Sequence, residues 1–418
     1  MSSLKTVGRG GTKQGCSPRA WRNVWLRLHL YLGLSVGALL VAVGLTGSAL
    51  VFMNELDAWL NPDLLTVAVP SEGRVVHRPM VEIVAAAERV VEANSRILAI
   101  MGPHSPEGVF SISFEQPDET QLRVFVDPYR AIVTNVRNFR THRVIPPYLI
   151  DAIFQFHFTL LSGEIGQAIV AIGALLLLIS IVTGLILWWP LTSQWRQAFA
   201  IRLPTNRVRF LFDAHKTFSL YTCLVLGAVL LSGVSMNLNK PFVRVTQWFS
   251  PATRDTPGRL VSGADAGRSP IGPVHAYEIA TSRYPGEDLY GVFPPSTPIG
   301  VYLVSYRRVP GLSAFWSERW IAIDQYSGAI LDVRAPDTRR TAGETFLAWQ
   351  WPLHSGQAFG LPGRLAVFIS GLACPVIYAT GVLMWWRKRP KSPTRRNQRH
   401  RDANADPGHR PECADSYL

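Results

Sequence analysis

Four runs of the chain, residues 30–53, 168–189, 217–238 and 365–386, contain no Asp, Glu, Lys, Arg or His. About 20 such residues cross a ~30 Å hydrocarbon slab as a helix, and soluble core helices rarely run that long without a charge. The runs therefore predict four transmembrane helices. The first is too long for the apolar part of a cleavable signal and lacks a clear small-residue cleavage site, so it reads as a retained span.

The charges orient these spans. Residues 1–28, 190–216 and 387–418 hold 20 of the 42 basic residues and only 5 of the 29 acidic ones. Basic residues collect at the cytoplasmic side of a bilayer, so both termini and the middle loop are expected there. The sequence pI of about 9.9 then reflects membrane orientation, and no nucleic-acid partner is expected. The tail around Arg395 and Arg396 could touch anionic lipid or RNA, or simply be solvated. Cys16 and Cys413 fall in the tails and Cys223 and Cys374 in spans, so no disulfide framework is available outside.

In chain order this gives a disordered tail over 1–20, a first span over 21–53 and an outer module over 54–156. A second span with its lead-in covers 157–189, and a cytoplasmic loop 190–214. A third span covers 215–238, a second outer module 239–353 and a fourth span with its lead-in 354–386. A basic disordered tail covers 387–418. In the first module, 79–94 reads as a helix and 109–116 and 121–127 as strands, with another strand through Val136. In the second, a helix near 273–284 precedes strands around 288–293, 300–306 and 319–324, and a last strand through Val333. The Gly/Ser/Pro-rich stretch 250–270 reads as a mobile linker.

The two halves repeat each other. His157 to Gly184 and His354 to Gly381 both span 27 residues, and each glycine opens a stop that ends in Trp-Trp. His29 to Gly47 and His215 to Gly233 both span 18, and Asp127 to His157 and Asp324 to His354 both span 30. Matched intervals of this kind predict two tandem halves.

Four of the ten histidines stand at the mouths of the four spans. Topology places His29 and His215 at the cytoplasmic face and His157 and His354 at the outer face. A two-fold axis along the membrane normal would bring His29 to His215 and His157 to His354. Two imidazoles, one from each side, are what a six-coordinate haem iron takes beyond its four porphyrin nitrogens. Gly33, Gly37, Gly44, Gly47, Gly173, Gly184, Gly227, Gly233 and Gly371 are candidates for close approach of the porphyrin plane. Two haems, one near each surface, would divide a distance too long for one electron hop. Alternatively, each histidine could hydrogen-bond a headgroup or a freed carbonyl. His142 beside Arg140 and Arg143 could serve a substrate or metal, or be plain surface, and Arg137, Arg140, Arg143, Arg307 and Arg308 could meet an anion, although the outer surface is near neutral overall. No nucleotide loop, zinc motif or nucleophile elbow is present, so a flavin or nicotinamide site would belong to another protein.

The stretch from His354-Ser355-Gly356-Gln357-Ala358-Phe359-Gly360 to Trp386-Arg387, the entry WLRLHLYLG over 25–33 and the Asp-x-Tyr turns resemble the PepSY-associated transmembrane proteins. That family includes bacterial inner-membrane proteins of iron uptake and di-haem ferric-siderophore reductases. The resemblance implies an integral membrane α-helical protein with two periplasmic α+β PepSY-like modules. It also implies two b-type haems held by His29, His215, His157 and His354. At Arg130 the first Asp-x-Tyr turn departs from the second, which has Gly328. The function expected is transfer of electrons from a cytoplasmic-side donor to a periplasmic iron(III) chelate. A membrane sensor or protease regulator whose modules bind peptide is the alternative.

Overall fold

The computed structural model describes residues 18–71, 76–138, 145–189, 199–201, 206–252, 260–263, 268–309, 318–336, 338 and 340–388. The expected disordered tails, most of the 190–214 loop, half of the 250–270 linker and the cluster around His142 lie outside them.

The first half runs α1 (Pro18–Leu50), α2 (Met53–Leu60), α3 (Pro62–Leu65), α4 (Met80–Glu88), β1 (Arg96–Met101), β2 (Phe110–Glu115), β3 (Gln121–Val126), β4 (Val133–Asn138), α5 (Pro146–Thr159) and α6 (Gly163–Trp188). The second runs α7 (Arg207–Asn237), α8 (Asn239–Thr246), α9 (Pro273–Arg283), β5 (Asp288–Phe293), β6 (Val301–Arg307), β7 (Glu318–Asp324), β8 (Ile330–Arg334), α10 (Ala342–Ala348), α11 (Gln350–His354) and α12 (Gly360–Lys388). Among the described residues, four helices are long and apolar enough to cross a membrane, and they correspond to α1, α6, α7 and α12. They pack as a ring: α1 and α7 each touch α6 and α12, so α1 and α7 face one another across the diagonal.

The spans are longer than the apolar runs suggest. No proline or glycine interrupts residues 19–32, so α1 continues through the polar stretch ahead of its apolar run. His29 thus sits three turns inside α1, and His215 lies inside α7. The other two spans behave differently. Left-handed Leu160 (φ 50°) and Leu161 (φ 57°) end α5 just after His157, and α6 restarts at Gly163. Gly356 (φ 74°) and Gly360 (φ 62°) bracket a 3-10 turn over Gln357–Phe359 and separate His354 from α12 in the same way. The expected single lead-ins are therefore broken helices.

The outer segments do not stand apart. All eight strands form one antiparallel sheet in the order β4-β3-β2-β1-β5-β6-β7-β8. The halves meet where Ile100 pairs with Val292 and Met101 with Gly291. One face of the sheet buries Ile100, Ile112, Phe114, Val124, Val292, Val304, Ile321 and Ile323 beneath α4 and α9, as a single core shared by both halves. The opposite face turns toward the helical bundle. There Arg123 of β3 pairs with Asp151 of α5 at 3.2 Å, and Arg137 of β4 with Asp57 of α2 at 3.0 Å. Arg137 is only 2 % exposed, so this pair is a desolvated latch between sheet and helices.

The two Asp-x-Tyr turns share one construction. Asp127 Oδ1 accepts from the N–H groups of Tyr129 and Arg130, and Asp324 Oδ1 from those of Tyr326 and Ser327. Each tyrosine hydroxyl donates to a proline carbonyl, Pro106 or Pro298, at 2.7 Å. The position equivalent to Gly328 is Ala131 rather than Arg130, and Ala131 takes the left-handed conformation itself (φ 53°). At Gly328 (φ 72°) an added Cβ would lie 2.8 Å from Ile279 Cδ1. Gly328→Ala is therefore expected to destabilise the sheet domain by about 1–2 kcal/mol, the cost of a side chain in left-handed backbone. An unchanged thermal midpoint would refute this.

Asp324 also predicts a pH effect. Burial pushes its carboxyl up, but the N–H groups of Ser327, Tyr326 and Gly263 outweigh burial and hold it at about 2. A free aspartate titrates near 4. The folded value is the lower one, so this stabilisation is complete above about pH 4 and fades as the pH falls toward 2. Amide protection factors at Tyr326 and Ser327 should fall across that window, and Asp324→Asn should flatten the profile.

Candidate functional site

Four histidine rings gather in two pairs inside the ring of helices. His29 of α1 and His215 of α7 have ring centroids 6.2 Å apart at an interplanar angle of 77°. His157 of α5 and His354 of α11 are 6.1 Å apart at 69°. The first pair lies at the end of the bundle distal to the sheet and the second at the sheet end. Seventeen residues of α1 separate His29 from Thr46, which contacts His157, so the pairs lie roughly 25 Å apart along the bundle at 1.5 Å per residue. Each pair takes one ring from each half of the chain.

Every ring is held the same way, by a neighbouring helix and through Nδ1. His29 Nδ1 lies 3.0 Å from Ser180 O and 3.1 Å from Thr183 Oγ1. His215 Nδ1 lies 2.9 Å from Ile377 O and 3.2 Å from Thr380 Oγ1. His354 Nδ1 lies 3.0 Å from both Val229 O and Ser232 Oγ, and His157 Nδ1 lies 3.1 Å from Thr46 Oγ1. The hydroxyls decide the tautomer. Each already donates its hydrogen to a carbonyl of its own helix, three or four residues back. A hydroxyl that donates elsewhere, like a carbonyl, can only accept from the ring. Nδ1 must then carry the proton, which leaves the lone pair on Nε2.

The residue after each hydroxyl is a glycine, and it forms the seat of the ring. A Cβ at Gly47 would come within 2.9 Å of His157 Cε1, and one at Gly184 within 3.1 Å of His29 Cε1. The corresponding distances are 3.3 Å from Gly381 to His215 Cε1 and 3.6 Å from Gly233 to His354 Cε1. The repeated His-to-Gly intervals therefore do not link a ring to its own seat. Each links a histidine at one end of the bundle to the seat of a histidine at the other.

This corrects the expectation for the glycines. Gly47, Gly184 and Gly233 accommodate imidazole, not a porphyrin face. Gly37 abuts Tyr378, Gly173 abuts Leu39, and Gly44 and Gly371 pack α1 against α12 beside Cys374 and Ser48. Only Gly33 and Gly227 of the nine face open space within 4 Å. Thr46, Thr183, Ser232 and Thr380 were not anticipated, although a Ser/Thr-Gly pair at the end of every interval was a readable signal.

Among the described residues no three His, Cys, Asp or Glu side chains gather around one point. The sites offer two nitrogens each, the number needed by an ion that brings its other donors with it. Their separation fits such an ion. With metal–nitrogen bonds of about 2 Å, and about 1 Å from Nε2 to the ring centre, two axial imidazoles have centroids roughly 6 Å apart. Nδ1–H bound to a carbonyl is also the usual outer support of a metal-bound histidine. At the distal end one more group fits. Trp25 lies one turn from His29 on the same helix face, and its Nε1 is buried without a partner. It is a donor suited to a carboxylate such as the porphyrin edge carries, and Gly33, one turn to the other side, leaves open space.

Residues 26–388 match the PepSY-associated TM region. The chain belongs to that family. No curated protein matches it. Membership and the four apolar helices make it a multi-pass membrane protein, and the eight-stranded sheet with α4 and α9 is the part of this PepSY-associated chain outside the spans.

Proposed function

We propose that the chain is a di-haem oxidoreductase of the bacterial inner membrane, built as two tandem halves with both termini cytoplasmic. His29 and His215 would hold one b-type haem near the cytoplasmic face, and His157 and His354 a second near the periplasmic face. The observation that supports this best is the fourfold Nδ1 anchor. It keeps the proton of all four imidazoles on Nδ1 and leaves Nε2 free, and the rings of the two pairs stand 6.2 and 6.1 Å apart, so that each pair would hold one haem. Bound haem supplies a one-electron carrier in a low-dielectric bundle.

The protein's own part is positional. Thr46, Thr183, Ser232 and Thr380 hold the rings against rotation and keep the proton on Nδ1. The glycines admit the rings to the helix surface, and the apolar spans exclude water. Electrons from a cytoplasmic-side donor would leave at the sheet end to a periplasmic acceptor, an iron(III) chelate. Reduction to iron(II) weakens hard oxygen ligation, so delivery of an electron alone releases the metal.

Haem content of the purified protein tests the reading. Two haems per chain with sharp reduced-minus-oxidised bands are expected; a folded, colourless protein would end it.

A further inference from the structure

The sheet face turned toward the bundle is not used alike in the two halves. In the first half Arg123 and Arg137 point from it to Asp151 and Asp57, which docks β3 and β4 on α5 and α2. The spacing that relates Asp127 to Asp324 places Trp320 where Arg123 stands and Ala348 where Asp151 stands. The second half thus lacks the counterpart of the Arg123–Asp151 pair, and presents an aromatic residue at that place instead.

A cation lies beside that aromatic residue. Ser305 pairs with Trp320 and Arg307 with Glu318, so Arg307 and Trp320 are diagonal neighbours on this face, within reach of one another. Arg307 is half-buried. It donates to Pro103 O and, at 2.8 Å, to His104 Nδ1, and its Nε is buried without a partner. Neither acid beside it on the sheet forms a close ion pair with it, although Asp288, its register partner on β5, acts on it electrostatically. Asp288 is paired with Arg308 at 2.7 Å, and Glu318 accepts from Trp320 Nε1 at 2.8 Å. Among the described residues Arg307 therefore has no ion-pair partner. A guanidinium taken partly out of water without a close, hydrogen-bonded counter-charge is costly, and an anion offsets that cost through charge-assisted hydrogen bonds.

The surroundings select the shape of the anion. Trp320 stacks on Phe293 at 5.5 Å and 25°, with Tyr290 edge-on at 6.5 Å. Such a surface favours a flat ring. The position is also close to the bundle: Glu55 of α2 acts electrostatically on His104 and is paired with Arg364 of α12 at 2.6 Å.

We propose that the bundle-facing side of β5–β7 binds an anion that carries a flat aromatic ring, with Arg307 meeting its charge and Trp320 its ring. In the function proposed above this would be the docking site of the acceptor, and that reading enters only in the choice of probe. The test is calorimetric titration of the full-length protein in detergent with the ferric tris(catecholate) anion. The uncharged ferric tris(acetohydroxamate) complex serves as control. Saturable binding of the anion is expected, weaker for the control. Arg307→Gln should lower anion affinity roughly tenfold or more, Trp320→Leu by a smaller factor, and Arg307→Lys and Trp320→Phe should retain part of it. Arg78→Gln, which touches only the exposed pair with Glu82 on the α4 side of the sheet, should bind like wild type and so controls for folding. The proposal is overturned if the anion does not bind saturably, if Arg307→Gln binds it as wild type does, or if the uncharged complex binds equally well. Haem content measured on the same samples separates the two readings. Arg307-dependent binding to haem-free protein sinks the redox proposal alone, and Arg307-independent binding to haem-loaded protein sinks this one alone.

Discussion

Replacing His354 with alanine is expected to lower the haem content from two per chain to one, the remaining haem being that of the distal pair. His354 is one of the two rings at the sheet end, and the nearest ring that could substitute for it belongs to the other site, about 25 Å along the bundle. His157 keeps its anchor on Thr46 but loses the ring opposite, so under the proposed function a single imidazole would be left to hold that haem. Half the reduced-minus-oxidised absorbance should disappear while the protein stays folded. His29→Ala should remove the other half, and the double variant should be colourless. Unaltered spectra in either single variant would show that the rings pair for another reason.

Gly47→Val should have nearly the same effect without touching a histidine. A Cβ at Gly47 comes within 2.9 Å of His157 Cε1, a distance that packed atoms do not tolerate, and the valine methyl groups extend further. The ring must leave its seat, and with it goes the contact to Thr46 that fixes the tautomer. The expected result is loss of the sheet-end haem with the distal one intact, matching His157→Ala. Valine is compatible with a membrane helix, so the chain should still insert. Normal haem content in Gly47→Val would mean that the seat is dispensable.

The parts of this molecule legible in its sequence are those governed by composition and period. Charge-free runs located the spans, and alternation located β2, β3, β6 and β7. β1 escaped because its residues, Arg96–Met101, carry a bulge between Ile97 and Ala99 and lack a clean alternation. Its partner β5 was recognised, yet nothing local says that these two edges will join, because that choice is made by tertiary packing. The breaks after His157 were hidden for a different reason: Leu160 and Leu161 adopt left-handed backbone without the glycine that announces it.

At the site, spacing singled out the histidines and most of the glycines, but not what the glycines are for. Their role depends on which helix lies beside which, and intervals along one chain do not contain that information. The hydroxyls were overlooked because Ser and Thr are unremarkable in an apolar helix, where they usually satisfy themselves on their own backbone. Here they do that and also receive the ring.

The seam between β1 and β5 carries a consequence for the molecule's parts. A polypeptide ending before residue 200 would own one imidazole of each pair and an unprotected strand edge at β1; one beginning there would own the complements and the bare edge of β5. Neither fragment by itself would hold both rings of a pair. Synthesised together, the fragments need only re-form a short seam of backbone hydrogen bonds and the contacts between neighbouring spans. Under the proposed function, haem absorbance should therefore appear when the two fragments are co-expressed and be lost when either is expressed alone.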